Sequence, residues 1–180
     1  MDNGTAVDQG PAGTVRQVAL VLGVFAVAGL AGAFLWYWWW SPAPEGVAFG
    51  GEVYFEPDQE FRSTGMFVAI AVPLGLVLSM VFTLLLDRDE VVTLLAVVAG
   101  ACLATGLMLW VGHLLGPGSP EEAARQAADL EEVAAGLRAQ PLASWLTMPG
   151  AALVGSVTIL LSFSNRRLHR EPDGYAPRRR

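Results

Sequence analysis

Four long apolar stretches, separated by short polar ones, set the pattern of this 180-residue chain. Residues 17–40, 65–86, 91–115 and 142–164 contain no Asp, Glu, Lys or Arg. At about 1.5 Å of rise per residue each is long enough, as a helix, to cross roughly 30 Å of hydrocarbon. The pattern therefore predicts an all-α integral membrane protein. It is expected to be a four-transmembrane-helix bundle with a short extracytoplasmic β-hairpin and an extracytoplasmic amphipathic helix. The polar remainder divides into a disordered cytoplasmic N-tail (1–16), outer loops (41–64 and 116–141), a short connection (87–90) and a basic cytoplasmic C-tail (165–180).

The first apolar run competes with a cleaved signal peptide, whose core would be shorter and would end in small residues. This one ends in Trp36, Tyr37, Trp38, Trp39 and Trp40, which favours a retained span. Amphipathic rings settle at headgroup depth, so Trp36, Trp38, Trp39 and Trp40 are expected to be an interfacial anchor. In the third run Ala96, Gly100 and Ala104 recur every fourth position, a stripe that lets a neighbouring helix come close. Pro73 in the second run predicts a kink, and Pro149-Gly150 near the start of the fourth predicts a bent first segment. The connection Asp87-Arg88-Asp89-Glu90 is short enough to make spans two and three antiparallel neighbours.

In the first outer loop, Val47-Ala48-Phe49, Gly50-Gly51 and Glu52-Val53-Tyr54-Phe55-Glu56 have the pattern of two strands joined by a glycine turn. Such a hairpin is marginal alone and must lean on the Trp-rich helix end or on the second outer loop. In that second loop Ser119-Pro120-Glu121-Glu122 reads as a capping box, with proline at the first helical position. The helix is expected to run to about Arg138, presenting Leu130, Val133 and Leu137 at i, i+3, i+7 as a partner surface or as a face lying on its own spans. Glu121 to Arg125 and Arg125 to Asp129 are expected i,i+4 pairs.

Charge then assigns an orientation. All eleven basic residues are arginine, and Arg16, Arg88, Arg166, Arg167, Arg170, Arg178, Arg179 and Arg180 fall on the side that four spans give to both termini. Only Arg62, Arg125 and Arg138 fall on the other, so the termini side is expected to be cytoplasmic and the protein a multi-pass plasma-membrane protein. Arg166, Arg167 and Arg170 can contact anionic lipid headgroups, each worth about 1 kcal/mol near the surface. The net charge of −6 sits largely in the outer loops. Arginines on a tail without a fold motif do not make a nucleic-acid module, and no such partner is expected.

Candidate chemistry is sparse. Intramembrane ionisable residues are the usual sign of ion coupling or catalysis, and the four runs lack them. The chain has the size of a small four-span multidrug exporter but not the carboxylate such exporters carry in the first span. Quinone-linked thiol oxidoreductases need a Cys-x-x-Cys pair, whereas Cys102 stands alone. His113, near the end of the third run, has no second His or carboxylate at ligand spacing and reads as a polar interfacial residue. No catalytic residue, cofactor or metal ligand is expected. The expected partners are the bilayer and a membrane protein or a second copy docking through Ala96, Gly100 and Ala104.

With these residues in view, the chain resembles a group of small four-span actinobacterial membrane proteins known only as a domain of unknown function. The resemblance rests on the acidic strand-like loop leading into Gly65-Met66-Phe67, on Val111-Gly112-His113-Leu114-Leu115-Gly116-Pro117, and on Pro141-Leu142. Where a Trp-Pro pair is expected in the fourth span, the chain has Met148-Pro149. The resemblance implies topology and no catalytic residue. The function expected is that of a non-enzymatic accessory or scaffold component of the cell envelope presenting an acidic outer cap. The alternative is a subunit of a small transporter or channel with hinges at Pro73 and Pro149.

Overall fold

The computed structural model describes residues 11–56, 58–86 and 90–168. In chain order the elements are α1 (Pro11–Trp40), β1 (Glu45–Phe49), β2 (Glu52–Tyr54), α2 (Gln59–Leu85), α3 (Glu90–Leu115), α4 (Pro120–Gln126), β3 (Glu132–Ala134) and α5 (Pro141–Leu168). The protein is mostly helical, and α1, α2, α3 and α5 are long and apolar enough to cross a membrane.

Side-chain pairs fix the helix directions. Between α1 and α3, Gln17 Nε2 donates to Thr93 Oγ1 (2.9 Å), Phe25 packs on Gly100, Gly29 on Ala104 and Trp36 on Gly112. Every pair is separated by 75 or 76 positions, so α1 and α3 run parallel. Between α2 and α5, Gly75 abuts Met148, Ser79 abuts Gly155 and the Thr83 hydroxyl donates to Ser156 Oγ (3.2 Å), again a near-constant offset and a parallel pair. Trp36 with Phe67 and Phe25 with Phe82 pair in opposite order, so α1 and α2 are antiparallel. The chain thus threads up, down, up, down.

The short connection leads to the expectation that spans two and three are neighbours. They are antiparallel, but the ring runs α1, α3, α5, α2, and α2 meets α3 only slightly across a diagonal. The cause is the buried face of α3. Ala96, Gly100 and Ala104 point at α1, and a Cβ on Gly29 would stand 2.6 Å from the Ala104 carbonyl oxygen. Backbone-to-backbone approach of this kind holds helices together by dispersion where no hydrophobic difference drives them. It also uses within the chain the stripe through which a partner or second copy was expected to dock.

Two helix boundaries differ from expectation. Helix α1 begins at Pro11, so residues 11–16 are its first turns and not tail; Pro11 suits the first helical position and nothing after it breaks the helix. Helix α5 runs unbroken through Pro149 to Leu168, taking in Arg166 and Arg167. Arg170, residues 1–10 and the Asp87-Arg88-Asp89 connection lie outside the described residues.

The ends of α1, α2, α3 and α5 nearest the loops carry a folded cap. The hairpin forms as read, with Gly50 (φ 62) and Gly51 (φ 79) in its turn and Val47 opposite Tyr54. Both positive angles suit glycine, which has no Cβ to clash there. The expected helix from 119 to 138 does not form, however. It ends at Gln126, and Glu132–Ala134 becomes a third strand on the free edge of β1, giving the order β2-β1-β3. Tertiary pairing overrides the helical propensity of this Ala- and Glu-rich stretch. Leu130 N–H donates to Ala48 O (2.8 Å), Ala48 N–H to Glu131 O (2.9 Å) and Ala135 N–H to Pro44 O (2.7 Å). Ala48, Ala124 and Val133 form a small separate core between α4 and the sheet.

Candidate functional site

Helix α1 buries Val21, Phe25, Gly29, Ala33, Trp36 and Trp40 on one face, and this stripe carries two tryptophans into the cap end of the bundle. The expected interfacial anchor therefore splits. Trp38 and Trp39 are 73% and 50% exposed, as an anchor requires, whereas Trp36 and Trp40 are core residues. Trp36 stands edge-on to Phe67 at 5.3 Å and its Nε1–H donates to the Ser63 carbonyl (3.2 Å). Spacing held the signal, since positions 36 and 40 continue the buried i, i+4 row of the same helix.

The three residues expected to form one helical face are also separated. Leu130 is exposed with φ 72, Val133 is buried in the cap core, and Leu137 is buried against Gly112 and Gly116 of α3. The segment 135–140 crosses the open end of the bundle and is held by Gln140 N–H donating to Thr64 Oγ1 (3.1 Å). The expected i,i+4 pairs are replaced by longer-range ones. Arg138 Nη1 donates to Glu121 Oε1 (2.8 Å), and the Gly50 N–H donates to Asp129 Oδ1 (3.0 Å). Ser119 precedes α4 as read but makes no side-chain cap bond. The Glu121 carboxyl is held below its ordinary value, chiefly by its own backbone N–H at the start of α4; desolvation acts upward, and Arg138 and then Arg125 add smaller downward pulls.

Beneath the crossing segment lies a cavity of about 540 Å³. Its inner wall is Trp36, Trp40 and Ser63, all buried; Leu109 and Leu137 continue it. Its outer wall is His113, Trp145, Gln140, Arg138 and Glu121, all exposed. Glu121, Arg138 and Gln140 carry its exposed edge to the cap, and His113 of α3 and Trp145 of α5 carry it to the seam between those helices. There the Trp145 indole lies over Gly106 of α3, where a Cβ would stand 3.3 Å from the ring. Two lining side chains, Trp40 at Nε1 and Ser63 at Oγ, have buried polar atoms without a hydrogen-bond partner. The volume lies in the range of roughly 300–1,000 Å³ typical of small-molecule sites.

Among the described residues no three His, Cys, Asp or Glu side chains gather as a metal site requires. The polar groups that line the cavity are Ser63, Thr64, His113, Gln140 and the Arg138–Glu121 pair, an arrangement that can hold a ligand. The cavity was not readable from the sequence, because residues 135–138 in its roof were expected to continue a helix. No family model, no curated protein and no solved structure matches the chain.

Proposed function

We propose that this is a multi-pass plasma-membrane protein with both termini in the cytoplasm, acting without catalysis as an accessory or scaffold component of the cell envelope. Its outward helix faces support the membrane setting. Val27, Leu30, Phe34, Val77, Leu95 and Leu161 are all exposed, a belt that hydrocarbon would cover. The excess of arginine at the termini supports the orientation.

The observation that carries the scaffold reading is the uncovered face of the cap sheet. Val47, Phe49 and Tyr54 lie together on the side away from α4, 40%, 57% and 59% exposed. Glu45, Glu52 and Glu132 share that face in the strand register. An apolar centre ringed by carboxylates suits a partner of apolar and basic surface, with charge governing encounter more than final affinity.

Two measurements test this reading. In a Cys102→Ser background, an impermeant maleimide should label Tyr54→Cys but not Ala12→Cys on intact cells; the reverse result would invert the topology. Affinity purification in mild detergent should recover an envelope protein with the wild type and lose it with Phe49→Ser. Recovery of the chain alone would defeat the scaffold reading. One arrangement favours a transporter or channel subunit as the second reading. Gly75, two residues after Pro73, abuts the carbonyl of Met148, which precedes Pro149, so both prolines sit at one level of the α2 and α5 pair. Solute or ion flux through liposomes containing the purified protein would select that alternative.

A further inference from the structure

The cavity at the cap end combines three features. Its inner wall is aromatic and aliphatic, formed by Trp36, Trp40, Leu109 and Leu137. Trp40 Nε1–H and the Ser63 hydroxyl on that wall are buried without partners, and leaving a buried donor unmet costs about 1–3 kcal/mol. Its rim carries Arg138, ion-paired with Glu121, together with Gln140 and His113. The chemistry asked of an occupant is therefore an apolar body, hydrogen-bond acceptors near its middle, and an acceptor-rich or anionic head at the rim.

Location narrows the class. One exposed edge of the cavity lies at the α3 and α5 seam, at His113 and Trp145, and Trp110 and Leu114 of α3 and Leu142 and Leu146 of α5 are 62–77% exposed and apolar. A ligand entering there arrives from hydrocarbon and not from water. The tryptophans around it set the depth at the headgroup boundary, which is where the ester carbonyls of a glycerolipid lie. Arg138 gives one Nη1–H to Glu121, and a guanidinium with five N–H donors keeps others for a phosphate.

We infer that the cavity is a binding site for one glycerophospholipid, an acyl chain lying against Leu109 and Trp145, the phosphate at Arg138, and ester carbonyls meeting Trp40 Nε1–H and the Ser63 hydroxyl once these side chains, closed off in this structure, turn toward it. The inference rests on the membrane reading above and is independent of the scaffold reading. Trp145, over Gly106, is the side chain an entering chain must pass.

Native mass spectrometry of the detergent-purified protein tests it, with dioleoylphosphatidylglycerol, dioleoylglycerol and inorganic phosphate as probes. One phosphatidylglycerol should persist at an activation energy that strips further lipids. Dioleoylglycerol should bind about tenfold more weakly, and phosphate alone should not bind. Ala139→Trp, which fills the cavity, should abolish the persistent adduct, and Arg138→Gln should remove the preference for phosphatidylglycerol over dioleoylglycerol. An adduct equally persistent in Ala139→Trp would show annular lipid only and overturn the inference. Because a tryptophan at 139 can disturb folding, photo-crosslinking of wild type with a diazirine-acyl phosphatidylglycerol gives a second decision. Crosslinks within 135–140 support the site, and crosslinks confined to outward helix faces refute it. Labelling of both Tyr54→Cys and Ala12→Cys by the impermeant maleimide would remove the membrane reading itself, whereas failure here with correct labelling removes only the lipid site.

Discussion

Helix α3 meets its two neighbours in opposite ways. Toward α1 it offers Ala96, Gly100 and Ala104, and the two backbones approach until a Cβ on Gly29 would collide with main chain. Toward α5 it offers Gly106, Leu109 and His113, and a tryptophan from α5 lies across the gap. The first seam is closed along its length; the second stays wide enough at the cap end to leave a cavity. Small residues are thus not interchangeable along one helix. Repeated every fourth position they close a seam, and a single glycine under a large ring only makes room for that ring.

The sharpest way to break this contrast is at Gly29. Gly29→Leu drives a side chain into the backbone at Ala104, which cannot yield, and should cost about 3 kcal/mol or more, seen as aggregation in size exclusion and a large fall in Tm. Gly23→Leu on the same helix meets nothing within 4 Å and should leave Tm nearly unchanged. Equal effects would mean that α1 and α3 do not pack as described.

Gly106→Leu probes the open seam and should do much less. The nearest atom is the far end of the Trp145 ring, which can shift, so a loss of about 1 kcal/mol is expected together with a change in tryptophan emission. A loss as large as that of Gly29→Leu would show the second seam to be as closed as the first.

The smallest effect belongs to the roof of the cavity. Glu121 and Arg138 are 51–52% exposed, and such a pair contributes roughly 0.2–1 kcal/mol before screening by salt. Because folding lowers the Glu121 pKa, its contribution is present above the ordinary value of 4.5 and is lost as pH falls through the lower folded value. Amide protection at 135–140, taken relative to the intrinsic exchange rate at each pH, should therefore fall slightly in acid in the wild type, and Glu121→Gln should remove that fall. An unchanged acid response in Glu121→Gln would place its origin elsewhere.

The four long helices were legible because each is built on a long uncharged run, which α1 and α2 extend by six residues at their N-terminal ends. The glycine hairpin was legible because two adjacent positive φ angles call for glycine. Glu132-Val133-Ala134 was not, since local propensity favours helix and only the waiting edge of β1 makes it a strand. The inward turn of Trp36 and Trp40 was hidden behind the aromatic-belt rule, although their spacing matched the buried row on α1. The cavity depends on all of these at once, which is why no single motif announced it.

The shared direction of α1 with α3 and of α2 with α5 has a consequence for assembly. The partners of α1 and α2 are made only about 75 residues later, so until then the chain carries two helices without their main neighbours and a hairpin whose β1 edge is bare. That edge is covered only once residues 132–134 are made, so a chain stalled before β3 displays an open strand that quality-control proteases and chaperones can recognise.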